Sequence, residues 1–324
     1  MEKSENILVV EHLKKYFKTS FGVVKAVDDI SFNVKYGEIF ALVGESGSGK
    51  STTGFTIAGV YVPTSGKIIY KGEDITMHVK KRPMRLKRDI QMVFQDPGSS
   101  LNPRMVVRDV VGLPLMVHEK IRDKAVLEER VAELLKMVGL PPEDFMYRFP
   151  RELGGGEKQL VAIARALATR PSFVILDEST SALDVSMQAI VLRTLLRIQR
   201  EFNLSYLLIT HDLGVVRNVA SRVAIMYLGK IYEIGPTVDF FEKPLHPYTQ
   251  MLLSAIPVMS DEEEKLKPKG IKSVGEIPSA INPPPGCRFH TRCPYATDVC
   301  KTKEPEFVEV GRGHWVACHM CSKA

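Results

Sequence analysis

The octapeptide Gly44-Glu45-Ser46-Gly47-Ser48-Gly49-Lys50-Ser51 constrains this chain more than any other stretch of it. It fits the pattern G-x-x-x-x-G-K-[ST], and it sits between an apolar run, Ile39–Val43, and a helix candidate, Ser51–Ala58. A strand that turns through glycines into a helix leaves successive backbone N–H groups facing one point, and the helix N-terminus adds a favourable dipole there. Such a loop cradles phosphates. Lys50 is expected to reach the β- and γ-phosphates, and Ser51 to offer its hydroxyl to Mg²⁺. The alternative is a glycine-rich turn with an incidental lysine, and the flanking strand and helix argue against it.

A second stretch belongs with the first. Phe173-Val-Ile-Leu-Asp177-Glu178 is an apolar strand that ends in two carboxylates. Asp177 can hold Mg²⁺ through water, and Glu178 can polarise an attacking water. Alone, the pair would read as a strand cap.

Short strand patterns alternate with helical ones as far as Ala255. The strand candidates are Ile7–Val10, Ile39–Val43, Lys67–Tyr70, Ile90–Phe94, Phe173–Asp177, Tyr206–Thr210, Val223–Tyr227 and Lys230–Glu233. The helix candidates are Ser51–Ala58, Ala125–Val138, Glu157–Ala168, Met187–Phe202, Gly214–Ala220 and Pro247–Ile256, with Val106–Leu140 reading as a helical insertion. Apolar strands flanked by helices predict an α/β sheet covered on both faces. After Pro257 the texture changes. Ser260–Lys272 is charged and aperiodic and reads as a linker, and Ile277–Cys321 is rich in proline and cysteine.

The chain has 324 residues, enough for about two ordinary domains or one large domain with an appendage. No apolar run approaches the ~20 residues of a membrane span. The first residues, MEKSENILVVEH, lack the apolar segment of a signal peptide, so a cytoplasmic protein is expected. The net charge is only +6, partly gathered in Lys80, Lys81, Arg82, Arg85, Lys87 and Arg88. A patch for nucleic acid or anionic lipid is one reading. A solvated loop and helix face is favoured, because no aromatic side chains interleave to stack on bases.

Taken together, these motifs resemble the ATP-binding cassette (ABC) ATPases, the nucleotide-binding subunits of transporters. Tyr16 matches the aromatic residue that stacks on adenine, and Gly44–Thr52 match the Walker A loop. Gln95, in Val93-Phe-Gln-Asp96, matches the Q-loop. Leu153-Gly154-Gly155-Gly156-Glu157 falls at the signature, Asp177 and Glu178 at Walker B, Ser181-Ala-Leu-Asp184 at the D-loop, and His211 at the switch histidine. The resemblance covers residues 5–255.

It implies a P-loop cassette made of a RecA-like core, an antiparallel β subdomain and an α-helical subdomain near residues 100–170. Residues 1–256 would form that domain, and 257–324 a small Cys-rich C-terminal extension. It also implies ATP sandwiched between two head-to-tail cassettes. Each site would take Walker A from one subunit and the signature, with the D-loop Asp184, from the other. Lys50, Gln95, Glu178 and His211 would carry the chemistry, with Ser51, Gln95 and Asp177 around Mg²⁺.

Three further segments narrow the resemblance. Phe94-Gln-Asp-Pro97 followed by Ser100-Leu-Asn-Pro-Arg104, His246-Pro-Tyr-Thr-Gln-Met-Leu-Leu-Ser-Ala-Ile-Pro257, and Pro285-Gly-Cys-Arg-Phe-His-Thr-Arg-Cys-Pro-Tyr-Ala296 are similar to the ATPases of oligopeptide and dipeptide importers. Ala162-Ile-Ala-Arg-Ala-Leu167 resembles their F-type subunit. This implies a D-type ATPase partner, two integral-membrane permeases and an extracellular solute-binding protein, with the chain peripheral on the cytoplasmic face of the membrane and no nucleic acid bound. Importers of oligosaccharides and of nickel belong to the same group, so peptide is not the only cargo the resemblance allows. From other classes, a non-transport ABC ATPase and a low-turnover regulatory cassette stay open.

The signature departs from the family's LSGGQ, with Gly154 for serine and Glu157 for glutamine. Gly154 lacks the hydroxyl that would bind a γ-phosphate. A hydrogen bond to a charged group is worth about 1.5–3 kcal/mol, so the composite site using this signature is expected to be impaired while the chain's own Walker A site works; the alternative is that backbone amides and the helix N-terminus suffice. Ser179 replaces the proline usual after the Walker B glutamate, with little expected effect.

All five cysteines lie between Cys287 and Cys321. Cys287, Cys293, Cys300 and Cys318 could hold a [4Fe–4S] cluster or a zinc ion, or be free thiols. Cys321 is an alternate ligand; His290, His314 and His319 are further alternates, with a polar surface role favoured for them. The resemblance implies a structural [4Fe–4S] cluster at the four cysteines.

Overall fold

The computed structural model describes residues 5–255 and 275–321. The expected linker, 260–272, and the expected domain boundary at 256/257 lie outside those residues. In chain order the strands are β1 (Asn6–Thr19), β2 (Gly22–Lys35), β3 (Ile39–Val43), β4 (Ser65–Tyr70), β5 (Glu73–Asp74), β6 (Ile90–Val93), β7 (Phe173–Asp177), β8 (Ser205–Thr210), β9 (Arg222–Tyr227), β10 (Lys230–Pro236), β11 (Phe307–Gly311) and β12 (His314–Ala317). The described residues divide into two compact units, one of residues 5–7, 34–38 and 77–208, the other of 8–33, 39–76, 209–255 and 275–321.

In the first unit the strand order is β8-β7-β6, and β6 and β7 run parallel with Ile90 opposite Phe173 and Val93 opposite Leu176. All five residues of β7 are buried, the apolar run Phe173–Leu176 and the carboxylate Asp177 that ends it. From Pro97 to Leu167 every regular element is helical. Helix Lys124–Met137 starts at Asp123, whose carboxylate accepts the Val126 N–H, and turns Leu127, Val131, Leu134 and Leu135 inward. That spacing is the apolar stripe of a helix packed on one face. Helix Gly155–Leu167 is buried along most of its length and packs against Val107–Pro114, Lys124–Met137 and Val185–Phe202.

The second unit holds two sheets. One is antiparallel, in the order β2-β1-β4-β5; the other runs β11-β12-β10-β9-β3, with β3 and β9 parallel. The sequence suggests only Ile7–Val10 for β1, yet the strand continues to Thr19 past an irregularity between Glu11 and Lys14. An extra residue on one strand shifts its side-chain alternation, and the period that marks a strand is lost at that point. β2 is not foreseen in the sequence for a related reason, since Asp28 and Asp29 interrupt its apolar alternation.

The Cys-rich segment is more regular than its composition suggests. Its hairpin, β11 and β12, extends the sheet through Glu233 opposite Val316 and Ile234 opposite Trp315. Behind that sheet lies a core of Tyr227, Tyr232, Phe240, Tyr248, Met251 and Phe289, which Cys287 joins. Among the described residues, no helix is long and apolar enough to cross a membrane.

The basic run at 80–88 is only partly a solvated face. Arg82 is buried with its Nε–H on the Met77 carbonyl, and Arg88 reaches the Thr169 carbonyl and Glu119.

Candidate nucleotide site

The phosphate loop leaves the C-terminal end of β3 and enters helix Lys50–Ala58. Gly49, the residue before the helix, has φ 105°, and a Cβ there would stand 2.0 Å from the Ala26 carbonyl oxygen. At Gly44 a Cβ would stand 2.1 Å from the Met226 carbonyl oxygen. Only glycine fits either place, so the backbone itself lines the loop. The Lys50 ammonium, on a buried side chain, donates to the carbonyls of Gly44 and Glu45 at 2.8 and 2.9 Å. Among the described residues the Ser48 hydroxyl is buried without a hydrogen-bond partner. The donor set is an ammonium, the Ser51 hydroxyl and the first N–H groups of a helix, and it suits a polyphosphate with its metal.

In the first unit the structure brings two of the sequence-selected residues together. Gln95 Nε2 donates to Glu178 Oε2 at 2.9 Å. Glu178 follows the buried Asp177 at the end of β7 and holds φ 44°, a left-handed conformation unusual for a residue with a side chain. Strain of this kind collects at functional sites, where surrounding structure holds it in place. Asp184 caps helix Val185–Phe202 by accepting the Met187 N–H at 3.0 Å. His211 is exposed, one residue before Asp212, which caps helix Leu213–Val219.

At the signature, Gly154 is the N-cap of helix Gly155–Leu167, and its own N–H is taken. Glu157 Oε2 accepts it at 2.8 Å. Glu157 thus folds back on the motif it belongs to. A Cβ at Gly154 would meet only the Glu157 carboxylate, at 3.6 Å or more, so the absent serine would fit. Gly156 is different: its Cβ would stand 2.1 Å from the Met187 side chain.

Tyr16 donates its hydroxyl to Asp28, which also receives Arg288. Burial would raise the Asp28 carboxyl, but the Tyr16 hydroxyl and the Arg288 guanidinium outweigh it and hold it below the usual carboxylate range. Burial, with Asp28 beside it, pushes the Tyr16 phenol up.

Four residues that the sequence reading left without a role bear on this site. They are Asp28, Arg288, Arg292 and Tyr248. Arg292 forms a bidentate pair with Glu45, Nη1 to Oε2 at 2.7 Å and Nη2 to Oε1 at 3.1 Å. The Glu45 N–H donates to the Tyr248 hydroxyl at 3.0 Å. One signal in the sequence points this way, because an acidic residue inside an anion-binding loop needs a counter-charge.

The expected [4Fe–4S] cluster, and zinc in its place, are corrected by the structure. Among the described residues, no group of three or more His, Cys, Asp or Glu side chains is placed to hold a metal ion. The cysteines do other work. Cys287 lies in the aromatic core with Cys293 and Cys300 packed against it, and burial pushes the Cys287 thiol up to about 12. A buried neutral thiol behaves as a small apolar side chain. Cys318 accepts from the Cys321 thiol, which lowers Cys318 and raises Cys321. His314, expected at the surface, is buried with Nε2 2.8 Å from Glu233 Oε1.

Comparison with known proteins agrees with this geometry. The family described as "ABC transporter" matches residues 27–181, and the one described as "Oligopeptide/dipeptide transporter, C-terminal region" matches 232–300. The chain is 47% identical over 328 residues to the oligopeptide transport ATP-binding protein AppF of Bacillus subtilis (strain 168), covering 98% of each. It is 40% identical to the di/tripeptide transport ATP-binding protein DppF of Pseudomonas aeruginosa (strain UCBPP-PA14), over 97% of this chain and 98% of that one. A dimeric post-hydrolysis structure of the ATP-binding cassette MJ0796, bound to ADP and Pi, aligns with TM-score 0.65 and 28% identity, over 71% of this chain and 98% of that one.

Proposed function

The chain belongs to the ATP-binding subunits of ABC transporters that carry the oligopeptide/dipeptide transporter C-terminal region, and we propose that it hydrolyses ATP to drive uptake of oligopeptides or dipeptides. The observation that carries the peptide reading is likeness along the whole chain, tail included, to AppF. ATP and Mg²⁺ are the ligands, and membrane permeases with a solute-binding protein are the partners. The finer assignment is a D-type ATPase beside this F-type one, head to tail beneath two permeases, with the chain peripheral on the cytoplasmic face.

The roles follow from the chemistry of the residues. Lys50 and the N-terminus of helix Lys50–Ala58 hold the β- and γ-phosphates. Ser51, Gln95 and Asp177 would hold Mg²⁺, which when bound offsets charge on the phosphates. Tyr16 stacks on the adenine. Glu178, held by Gln95, orients water and takes its proton as the water oxygen bonds to the γ-phosphorus. The bond to the β–γ bridging oxygen breaks, and ADP and phosphate leave. His211 contacts the γ-phosphate. Asp184 and Gly154–Gly156 serve the partner's ATP.

One contact supports an asymmetric pair of sites. The Gly154 N–H, already bound to Glu157, is not free to meet a γ-phosphate, and Glu157 adds negative charge there. The ATP held against this signature would turn over slowly. The cargo is tested by reconstituting the complex with its binding protein and measuring ATP hydrolysis with peptides and with oligosaccharides. Stimulation by di- to oligopeptides alone supports the reading, and stimulation by oligosaccharides alone refutes it.

A further inference from the structure

The tail does more than follow the cassette. Phe289 packs edge-on to Tyr227 with ring centroids 5.5 Å apart and lies 5.2 Å from Tyr248, which anchors Gly286–Cys293 in the core of the second unit. From that anchor two arginines reach the nucleotide loop. Arg292, with a side chain only 7% exposed, lies over the Tyr227 ring and grips Glu45 with both terminal nitrogens. Arg288 donates to the Leu228 carbonyl and to Asp28. Its backbone N–H is held by the Tyr232 hydroxyl at 2.9 Å.

These contacts converge on one loop. Glu45 is fixed by its carboxylate to Arg292 and by its N–H to Tyr248. The Ser48 carbonyl accepts the Gly229 N–H at 2.8 Å, in the turn that Arg288 grips through Leu228. The Gly229 carbonyl in turn accepts the Asp28 N–H at 2.8 Å, and Asp28 holds the Tyr16 hydroxyl. The loop's curvature, its charge and the Tyr16 ring all connect to residues 288–292.

Charge gives the network its purpose. A loop built to receive a triphosphate carries a carboxylate at its second position, and an unpaired carboxylate there would repel the ligand. A bidentate guanidinium both neutralises it and fixes its direction, which lysine cannot do. We propose that Arg292 is a positioning residue for the nucleoside triphosphate: through Glu45 it sets the charge and shape of the phosphate loop, and the C-terminal extension is thereby part of the nucleotide site. The inference rests on residues 44–52 being the phosphate site.

The test is a double-substitution cycle in the full chain, read as ATP affinity with Mg²⁺ by equilibrium titration, with thermal unfolding without nucleotide alongside. Arg292→Gln is expected to weaken ATP binding about ten-fold, the scale of a lost charge-assisted contact. Glu45→Gln combined with Arg292→Gln is expected to bind ATP more tightly than Arg292→Gln alone, because the uncompensated charge is gone. Arg292→Lys, which keeps the charge without the fork, is expected to fall between wild type and Arg292→Gln. Wild-type affinity in Arg292→Gln, or simple additivity in the pair, would overturn the proposal; so would a melting-temperature loss in Arg292→Gln that tracks every change in affinity. A wild-type chain that bound no ATP would instead refute the phosphate site itself.

Discussion

Gln95 donates its side-chain amide to Glu178 at 2.9 Å, and that contact aims the carboxylate at the end of β7. Glu178 holds a left-handed backbone there. Gln95→Ala is expected to lower kcat by about a hundred-fold through misplacement of the base, with ATP affinity changed far less. Steady-state hydrolysis by the assembled complex, with ATP affinity measured in parallel, checks this. A rise in KM at unchanged kcat would assign Gln95 to binding instead.

Glu157 and Gly154 give a prediction of opposite sign. Restoring the serine and removing the charge, as Gly154→Ser with Glu157→Gln, frees the motif from its own carboxylate and supplies a hydroxyl. Serine is also a strong N-cap, so the lost Glu157 contact is offset in the helix. Turnover at that site is expected to rise by about ten-fold or more, the worth of one hydrogen bond to a charged group. Unchanged turnover would show that the Glu157 cap does not limit the site.

His246 sets a pH dependence of stability. Its Nδ1 accepts the Tyr248 N–H at 3.0 Å, and burial lowers its pKa to about 3. In the unfolded chain it titrates near the ordinary value of about 6.5. Between those values the unfolded chain binds a proton that the folded chain refuses, so stability falls as pH drops below about 6.5 and levels off above it. The slope from this residue is at most about 1.4 kcal/mol per pH unit. His246→Asn, which keeps a helix-capping acceptor, is expected to flatten that slope in urea titrations at pH 5 and 7. An equal slope in the variant would remove His246 from the account.

Cys287 is expected to act as an apolar side chain. Cys287→Ser places an unmatched hydroxyl in the aromatic core at a cost of about 1–3 kcal/mol, more than Cys287→Val would bring if valine repacks. Chemical denaturation of the two variants decides between them. A Ser variant as stable as wild type would contradict the packing role.

Much of the site is legible in the sequence because its parts are local. Gly44–Ser51 carry their geometry in their own glycines, and β3, an apolar run, and β7, an apolar run ending in Asp177, have the ranges the sequence suggests. Helix Lys50–Ala58 begins one residue earlier than the pattern. What the sequence hides is non-local. Arg292 meets Glu45 across 247 positions and Arg288 meets Asp28 across 260, and no period or spacing announces such pairs. The cysteines mislead for a related reason: clustering in sequence suggests shared ligation, while the fold uses three of them as packing. β1 is foreshortened in the sequence by an irregularity between Glu11 and Lys14, and β2 is missed there altogether because Asp28 and Asp29 break its alternation.

The most direct test of the central claim is ATP hydrolysis and labelled-peptide uptake by the reconstituted complex carrying Glu178→Gln. The account predicts that ATP still binds while hydrolysis and uptake fall together, by roughly a hundred-fold or more. Uptake or hydrolysis at the wild-type rate in that variant would contradict it.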